Sequence, residues 1–128
     1  MKVREVMTQV VLTAETGTTI AEVASLMAQR RVGSALVLDG RRLLGIFTER
    51  DIVKALSQDA SATHQAIGHW MTRNPETIPS DGTTDEALRR MLDGGFRHLP
   101  VMDGDRIVGM ISMRDLSRVQ VQAPVRRE

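Results

Sequence analysis

The feature that most constrains the fold is an internal repeat. The chain of 128 residues aligns with itself without a gap at an offset of 64 positions, from Met7 to Met71. The matching pairs are Met7-Thr8 and Met71-Thr72, Asp39-Gly40 and Asp103-Gly104, Gly45 and Gly109, and Thr48-Glu49-Arg50-Asp51 and Ser112-Met113-Arg114-Asp115. Each copy is too small to bury its own apolar face, so we expect two copies to pack about a pseudo-twofold axis. A binding site is expected in the cleft between them.

Composition limits the classes of protein. Apolar residues make up 41% of the chain, and 17 basic and 16 acidic residues give a net charge of +1. This balance predicts one compact domain with no broad attraction to DNA or to a membrane. The chain has no cysteine, which excludes disulfides, thiol catalysis and the commonest structural zinc ligand. With no signal peptide and no stretch near the roughly 20 apolar residues of a membrane span, we expect a soluble cytoplasmic protein.

Each copy carries the pattern of a helix, a hairpin and a second helix. Capping-box spacing starts the first helices at Thr19 and Thr83, and glycines stop them near Gly33 and at Gly94-Gly95. Their predicted buried stripes are Ile20, Val23, Ala24 and Met27 in one copy and Ala87, Leu88, Met91 and Leu92 in the other. Apolar runs around each Asp-Gly turn predict antiparallel hairpins. The second helices are expected to bury Ile52, Val53 and Leu56, or Leu116 and Val119.

A short edge strand before each first helix, over 10–13 and 77–78, completes the predicted order β-α-β-β-α in each repeat. The fold class is therefore α/β. The predicted boundaries are repeat 1 at 1–57, a linker at 58–66, repeat 2 at 67–121 and a flexible tail at 122–128.

The candidate binding chemistry lies in two tetrads, Thr48-x-x-Asp51 and Ser112-x-x-Asp115, each directly after a strand. A carboxylate can accept hydrogen bonds from both hydroxyls of a ribose. A hydroxyl and free backbone N–H groups at a helix start suit a phosphate. The same spacing also starts an ordinary helix, and the two roles can coexist.

Four cationic or imidazole side chains are candidates for phosphate contacts: Arg50, Arg114, Arg97 and His98. The alternative is that the helical arginines are solvated and that His98 is a partly buried polar residue. The three histidines, His64, His69 and His98, lack ligand spacing, so no metal site is expected. Mg²⁺ would arrive only with a polyphosphate.

The doubled unit resembles a tandem pair of cystathionine-β-synthase (CBS) domains, a Bateman module, over about 3–119. The residues that carry the resemblance are Val6-Met7-Thr8, Trp70-Met71-Thr72, Arg97-His98-Leu99-Pro100-Val101 and Gly45-Ile46-Phe47-Thr48-Glu49-Arg50-Asp51. It implies clefts for adenosine-containing ligands such as AMP, ADP, ATP, S-adenosylmethionine or NAD. It places Asp51 and Asp115 on ribose, and Thr48 and Ser112 near ribose or phosphate. It places the backbone of neighbouring strands on adenine: Val11, Thr13, Gly33, Ser34, Ala35, Thr77, Ile78, Leu99 and Pro100.

The resemblance also implies a homodimer that meets through helices, with Leu56 and Leu116 as candidate contacts, and a regulatory role toward an unknown protein target. The first-copy residues Gly33-Ser34 align with Arg97-His98, so the two clefts are not expected to be equivalent.

No catalytic constellation is visible, so we expect a sensor of adenosine-containing nucleotides and not an enzyme. One alternative is a ligand-free protein assembly module in which both tetrads only cap helices. Another is a nucleic-acid regulator acting through paired arginines. The balanced charge and the scarcity of aromatic residues argue against the latter.

Overall fold

The computed structural model describes residues 1–122, so the predicted tail lies outside the described residues apart from Gln122. The elements are β1 (Thr13–Ala14), α1 (Ile20–Arg30), β2 (Ser34–Asp39), β3 (Arg42–Thr48), α2 (Glu49–Gln58), β4 (Thr72–Arg73), β5 (Ile78–Pro79), α3 (Thr84–Gly94), β6 (His98–Asp103), β7 (Arg106–Ser112) and α4 (Met113–Gln122). The predicted order of a short strand, a helix, a hairpin and a second helix is confirmed in both repeats, as is the α/β class.

The chain divides into two compact units whose boundaries differ from those of the sequence repeats. One unit, here called the continuous unit, is Val11–Pro75. The other, the split unit, combines Met1–Val10 with the residues from Glu76 onward. Each unit therefore contains a short opening segment that belongs, by sequence, to the opposite repeat.

The continuous unit contains a four-stranded sheet in the order β1-β2-β3-β4. Strand β1 runs parallel to β2, and β2 and β3 form the predicted hairpin around Gly40, whose φ is 60°. Helix α1 buries Ile20, Val23 and Met27 against this sheet, with Phe47 fully buried at its centre. The core of this unit therefore lies between the sheet and the apolar face of α1.

The split unit repeats this arrangement with strands in the order β5-β6-β7. Met1–Val10, here called the N-terminal segment, packs onto it. Val3 is fully buried, and its N–H donates to the Gly82 carbonyl over 2.8 Å. At its far end, Thr8 and Met110 exchange two backbone hydrogen bonds of 2.8 and 2.9 Å. The segment is thereby tied to both the start of α3 and to β7.

Helix caps follow the predicted starts. The Thr19 hydroxyl accepts from the Glu22 N–H over 3.2 Å, and the Thr83 hydroxyl accepts from the Glu86 N–H over 3.1 Å. Helix α3 ends at Gly95, with φ of 71°, as a left-handed glycine cap. Helix α1 ends in the same conformation at Arg31, with φ of 55°, two residues before the glycine that was expected to stop it.

Several apolar residues expected in the core are exposed. Val53, Leu56 and Leu92 are 68%, 41% and 66% exposed, whereas Leu116, expected at a dimer contact, is 7% exposed. In α2 the buried positions are Asp51 and Ala55, one turn apart. Val53 lies about 200° around the helix from Asp51, so it cannot share that buried face.

The predicted linker, 58–66, contains an ordered polar cluster. Asp59 Oδ1 accepts from the Ser61 N–H and hydroxyl, which lowers the pKa of the Asp59 carboxyl, and Oδ2 accepts from Gln65. The Gln65 amide oxygen in turn accepts from the Trp70 indole N–H over 2.9 Å. With Ala62 fully buried, these bonds hold the stretch against the continuous unit.

Candidate functional site

The candidate site in each unit begins with a glycine that admits a neighbouring backbone. A Cβ added at Gly45 would lie 2.6 Å from the Thr72 carbonyl oxygen and 2.8 Å from Met71 Sδ. A Cβ at Gly109 would lie 2.8 Å from the Thr8 carbonyl oxygen and 2.7 Å from Met7 Sδ. These distances are too short for any side chain. In each unit, a Met-Thr pair and a glycine that both recur in the sequence repeat therefore lie in close contact with each other.

In the split unit, strand β7 delivers Ser112 and Asp115 to the first turn of α4. Asp115 Oδ2 accepts the Ser112 N–H over 2.9 Å and its hydroxyl over 3.0 Å. The Ser112 oxygen accepts the Asp115 N–H over 3.1 Å. This reciprocal pattern is a capping box, and Asp115 is only 7% exposed.

In the continuous unit, Thr48 and Asp51 repeat this geometry at the start of α2. Asp51 Oδ2 accepts the Thr48 N–H over 2.9 Å and its hydroxyl over 3.3 Å. Burial raises the pKa of the Asp51 carboxyl, and the bonds from Thr48 and the charges of Lys54 and Arg50 offset only part of that rise. Both tetrads are thus capping boxes, and in both the N–H and the hydroxyl of the capping residue donate to Oδ2 of the aspartate.

The strand beside each tetrad brings further predicted site residues to it. Ser34 pairs with Thr48, and the Glu49 N–H donates to the Gly33 carbonyl over 3.1 Å. In the split unit, His98 pairs with Ser112, and the Met113 N–H donates to the Arg97 carbonyl over 2.9 Å. Gly33-Ser34 of one repeat and Arg97-His98 of the other therefore occupy equivalent places beside their tetrads.

The arginines proposed for phosphate, Arg50, Arg97 and Arg114, are all exposed, and His98 is half-buried. Among the residues expected to contact adenine, the side chains of Ser34, Ala35, Ile78, Leu99 and Pro100 are buried, Val11, Gly33 and Thr77 are half-buried, and Thr13 is exposed. The buried members can offer only backbone groups to a ligand.

Two side chains that make contacts near these residues, Thr8 and Arg90, were missed by sequence reasoning. The Thr8 hydroxyl donates to Asp115 Oδ1 over 3.4 Å. The Arg90 guanidinium donates to the Thr77 carbonyl over 2.7 Å and pairs with Glu86 over 2.9 Å. The sequence does distinguish Arg90, because the first repeat has Leu26 at the equivalent position. Thr8 had no such signal, since both repeats carry the same Met-Thr pair.

Residues 1–122 contain no helix long and apolar enough to cross a membrane. The same residues contain no group of three or more metal-ligating His, Cys, Asp or Glu side chains.

Two βαββα repeats, each with a buried aspartate at the first turn of its second helix, define a tandem pair of CBS domains. The family model for the CBS domain matches 3–58 and 67–122, and the chain belongs to this family.

Individual proteins that are similar to this chain in sequence or structure agree with this family assignment. The chain is 38% identical over 119 residues to an uncharacterized 17.7 kDa protein of Acidianus ambivalens, covering 91% of this chain and 71% of that one. A CBS-domain protein of Agrobacterium tumefaciens, ATU1752, has a similar structure, with a TM-score of 0.90, 31% identity and coverage of 94% and 99%. The CBS domain pair of protein MJ0100, solved with 5′-methylthioadenosine and S-adenosyl-L-methionine, is also similar in structure. Its TM-score is 0.87 at 28% identity, and the match covers 94% of this chain and 96% of that one. The chain spans only 21% of a longer Arabidopsis thaliana relative, CBSCBSPB1.

Proposed function

We propose that this chain is a regulatory module that binds an adenosine-containing nucleotide, with Asp51 and Asp115 on the ribose. The observation that carries the proposal is the pair of buried carboxylates at helix starts, each using Oδ2 for its cap. The two ligands in the MJ0100 structure, which both contain an adenosyl group, support this assignment.

Different groups of the chain are proposed to bind the ribose and the phosphate. Each aspartate accepts a ribose hydroxyl through Oδ1, since Oδ2 serves the helix cap. The positive N-terminal ends of α2 and α4 suit a phosphate. The hydroxyl oxygens of Thr48 and Ser112, whose hydrogens go to Oδ2, can accept a hydrogen bond from the ribose. Arg50, Arg97, Arg114 and His98 supply charge and hydrogen-bond donors at the exposed side, and a polyphosphate would bring its own Mg²⁺.

Regulation follows if occupancy favours one conformation or assembly of the chain over another. A ligand shifts such an equilibrium only by its difference in affinity for the two states. We place this action in the cytoplasm, where adenine nucleotides are made and consumed, and on a separate protein target. The proposed role is non-catalytic.

The direct test is titration calorimetry with AMP, ATP, NAD and S-adenosylmethionine, together with mass spectrometry of small molecules released from the purified chain. We expect at least one adenosine compound to bind with a dissociation constant in the micromolar range, and GMP to bind at least tenfold more weakly. Absence of heat with all four adenosine compounds would contradict the proposal.

A ligand-free assembly module is the second candidate function. Both tetrads are capping boxes, so neither aspartate requires a ligand to account for its place. Val53 and Leu56 also form an exposed apolar pair on α2, at a spacing that puts them on one face. Assembly through this face is compatible with ligand binding, and we propose that it forms the homodimer contact.

Replacing Val53 and Leu56 together by glutamate is expected to convert a dimer into a monomer, because two charges would have to be desolvated in an apolar contact. Light scattering after size-exclusion chromatography measures this. Val10→Glu is the matched control, since Val10 is 79% exposed and lies outside the helices. A dimer that survives the double change, or one that dissociates equally with the control, would refute the assignment of this face.

A further inference from the structure

The two oxygens of Asp115 have different partners. Oδ2 accepts both bonds from Ser112 and is committed to the helix cap. Oδ1 accepts from the Thr8 hydroxyl over 3.4 Å, and the Arg118 guanidinium lies 4.0 Å from it. Arg118 is 63% exposed and at the limit of an ion pair, so it does not commit Oδ1, and the Asp115 side chain itself is 8% exposed. Thr8 is therefore the neighbour of Oδ1 that most directly shapes what binds there.

We propose that Thr8 is a specificity-determining residue of the Asp115 site and that it reads the second hydroxyl of a ribose cis-diol. This inference rests on the proposed function. One ribose hydroxyl donates to Asp115 Oδ1, and the adjacent hydroxyl donates to the Thr8 oxygen while Thr8 continues to donate to Oδ1. Because the helix cap occupies Oδ2, the carboxylate has one oxygen left to accept one ribose hydroxyl, and the Thr8 oxygen accepts the other.

The geometry of Thr8 suits this role. Its contact with Oδ1 is longer than the usual 2.7–2.8 Å of an O–H···O bond, so the hydroxyl retains freedom to adjust to a ligand. Its backbone is held by two hydrogen bonds to Met110 and by the close seat against Gly109. The side chain is exposed, so a ligand can reach it. A fixed backbone with an adjustable hydroxyl is what recognition of a sugar edge requires.

Among the described residues of the continuous unit, no equivalent threonine-to-aspartate contact is found. Thr72 occupies the place equivalent to Thr8, pairing with Ile46 as Thr8 pairs with Met110. Within residues 1–122, no hydrogen bond joins the Thr72 hydroxyl to Asp51, whose bonds from Thr48 end on Oδ2. The Asp115 site is therefore the one that discriminates ribose from deoxyribose.

The test compares AMP with 2′-deoxy-AMP and 3′-deoxy-AMP by titration calorimetry, in a chain carrying Asp51→Asn so that the Asp115 site is measured alone. Thr8→Val removes the hydroxyl and keeps the shape, Thr8→Ser keeps the hydroxyl, and Thr72→Val is the matched control. Circular dichroism checks that each variant is folded.

We expect Thr8→Val to weaken AMP binding about three- to tenfold, the range for loss of one hydrogen bond, and to reduce the preference for AMP over one deoxynucleotide by the same factor. Thr8→Ser and Thr72→Val should stay within about twofold of their parent. Equal effects of Thr8→Val and Thr72→Val, or an unchanged preference for AMP, would overturn the role of Thr8 while leaving the proposed function intact. If the unmodified chain binds none of the adenosine compounds, the proposed function fails, and this inference with it.

Discussion

Gly109→Ala is expected to lower the free energy of unfolding by about 2–3 kcal/mol, as overpacking against a rigid neighbour does. The added Cβ would lie 2.8 Å from the Thr8 carbonyl oxygen and 2.7 Å from Met7 Sδ. The sulfur can move, but the carbonyl belongs to a backbone that exchanges two hydrogen bonds with Met110. The strain must therefore displace the N-terminal segment, and Thr8 would be carried away from Asp115.

Gly45→Ala is expected to have the same effect in the continuous unit, where the Thr72 carbonyl oxygen is 2.6 Å from the new Cβ. Urea denaturation followed by circular dichroism measures both changes. Gly17→Ala is the matched control, because nothing lies within 4 Å of its added Cβ and its φ is not positive. The close-contact explanation is wrong if all three variants unfold at the same urea concentration.

Asp115→Asn and Asp51→Asn are each expected to weaken nucleotide binding about 10- to 100-fold at the altered site, and the double change should weaken both sites by that factor. Loss of a charge-assisted hydrogen bond costs about 1.5–3 kcal/mol, which corresponds to that range. The asparagine oxygen can still accept the N–H of Ser112 or Thr48, so the helix caps are largely kept. Calorimetric titration with AMP measures the loss, and affinity unchanged in the double variant would rule out both aspartates as ribose ligands.

The free energy of unfolding is expected to depend on pH differently in the unmodified chain and in the Asp51→Asn variant. Burial raises the pKa of the folded Asp51 carboxyl above its usual value of 3.8, so the folded state favours the protonated form. The resulting stabilisation is complete below pH 3.8 and is lost as the pH rises through the raised pKa. Asp51→Asn should therefore gain free energy of unfolding relative to the unmodified chain as pH rises, while AMP affinity at the Asp51 site should fall on acidification. Thermal melts across the pH range test the sign.

The starts of the elements could be predicted because they depend on local chemistry. Thr19, Thr48, Thr83 and Ser112 each cap a helix where their spacing to an acidic residue indicated. The end of α1 could not be predicted as well, because Arg31 takes the left-handed conformation that is typical of glycine. Helical periodicity also did not identify which side of α2 faces the sheet. Its most deeply buried members are the polar Asp51 and the small Ala55.

The placement of the opening segments depends on long-range pairing, which sequence patterns resolve poorly. Both Met-Thr pairs and both receiving glycines are identical in type, so the sequence fits either pairing of segment with glycine. Only the structure assigns Thr8 to Gly109 and Thr72 to Gly45. The site residues remain predictions, but their local neighbourhood is clear, since Gly33 and Ser34 in one unit and Arg97 and His98 in the other lie beside their tetrads.

The N-terminal segment has a consequence for how the chain matures on the ribosome. Val11–Pro75 is one uninterrupted stretch, and it can fold as soon as it emerges. Val3 reaches its partner Gly82, and Thr8 reaches Met110, only after those later residues have been synthesised. Met1–Val10 therefore reaches its native position later than the stretch of chain that directly follows it.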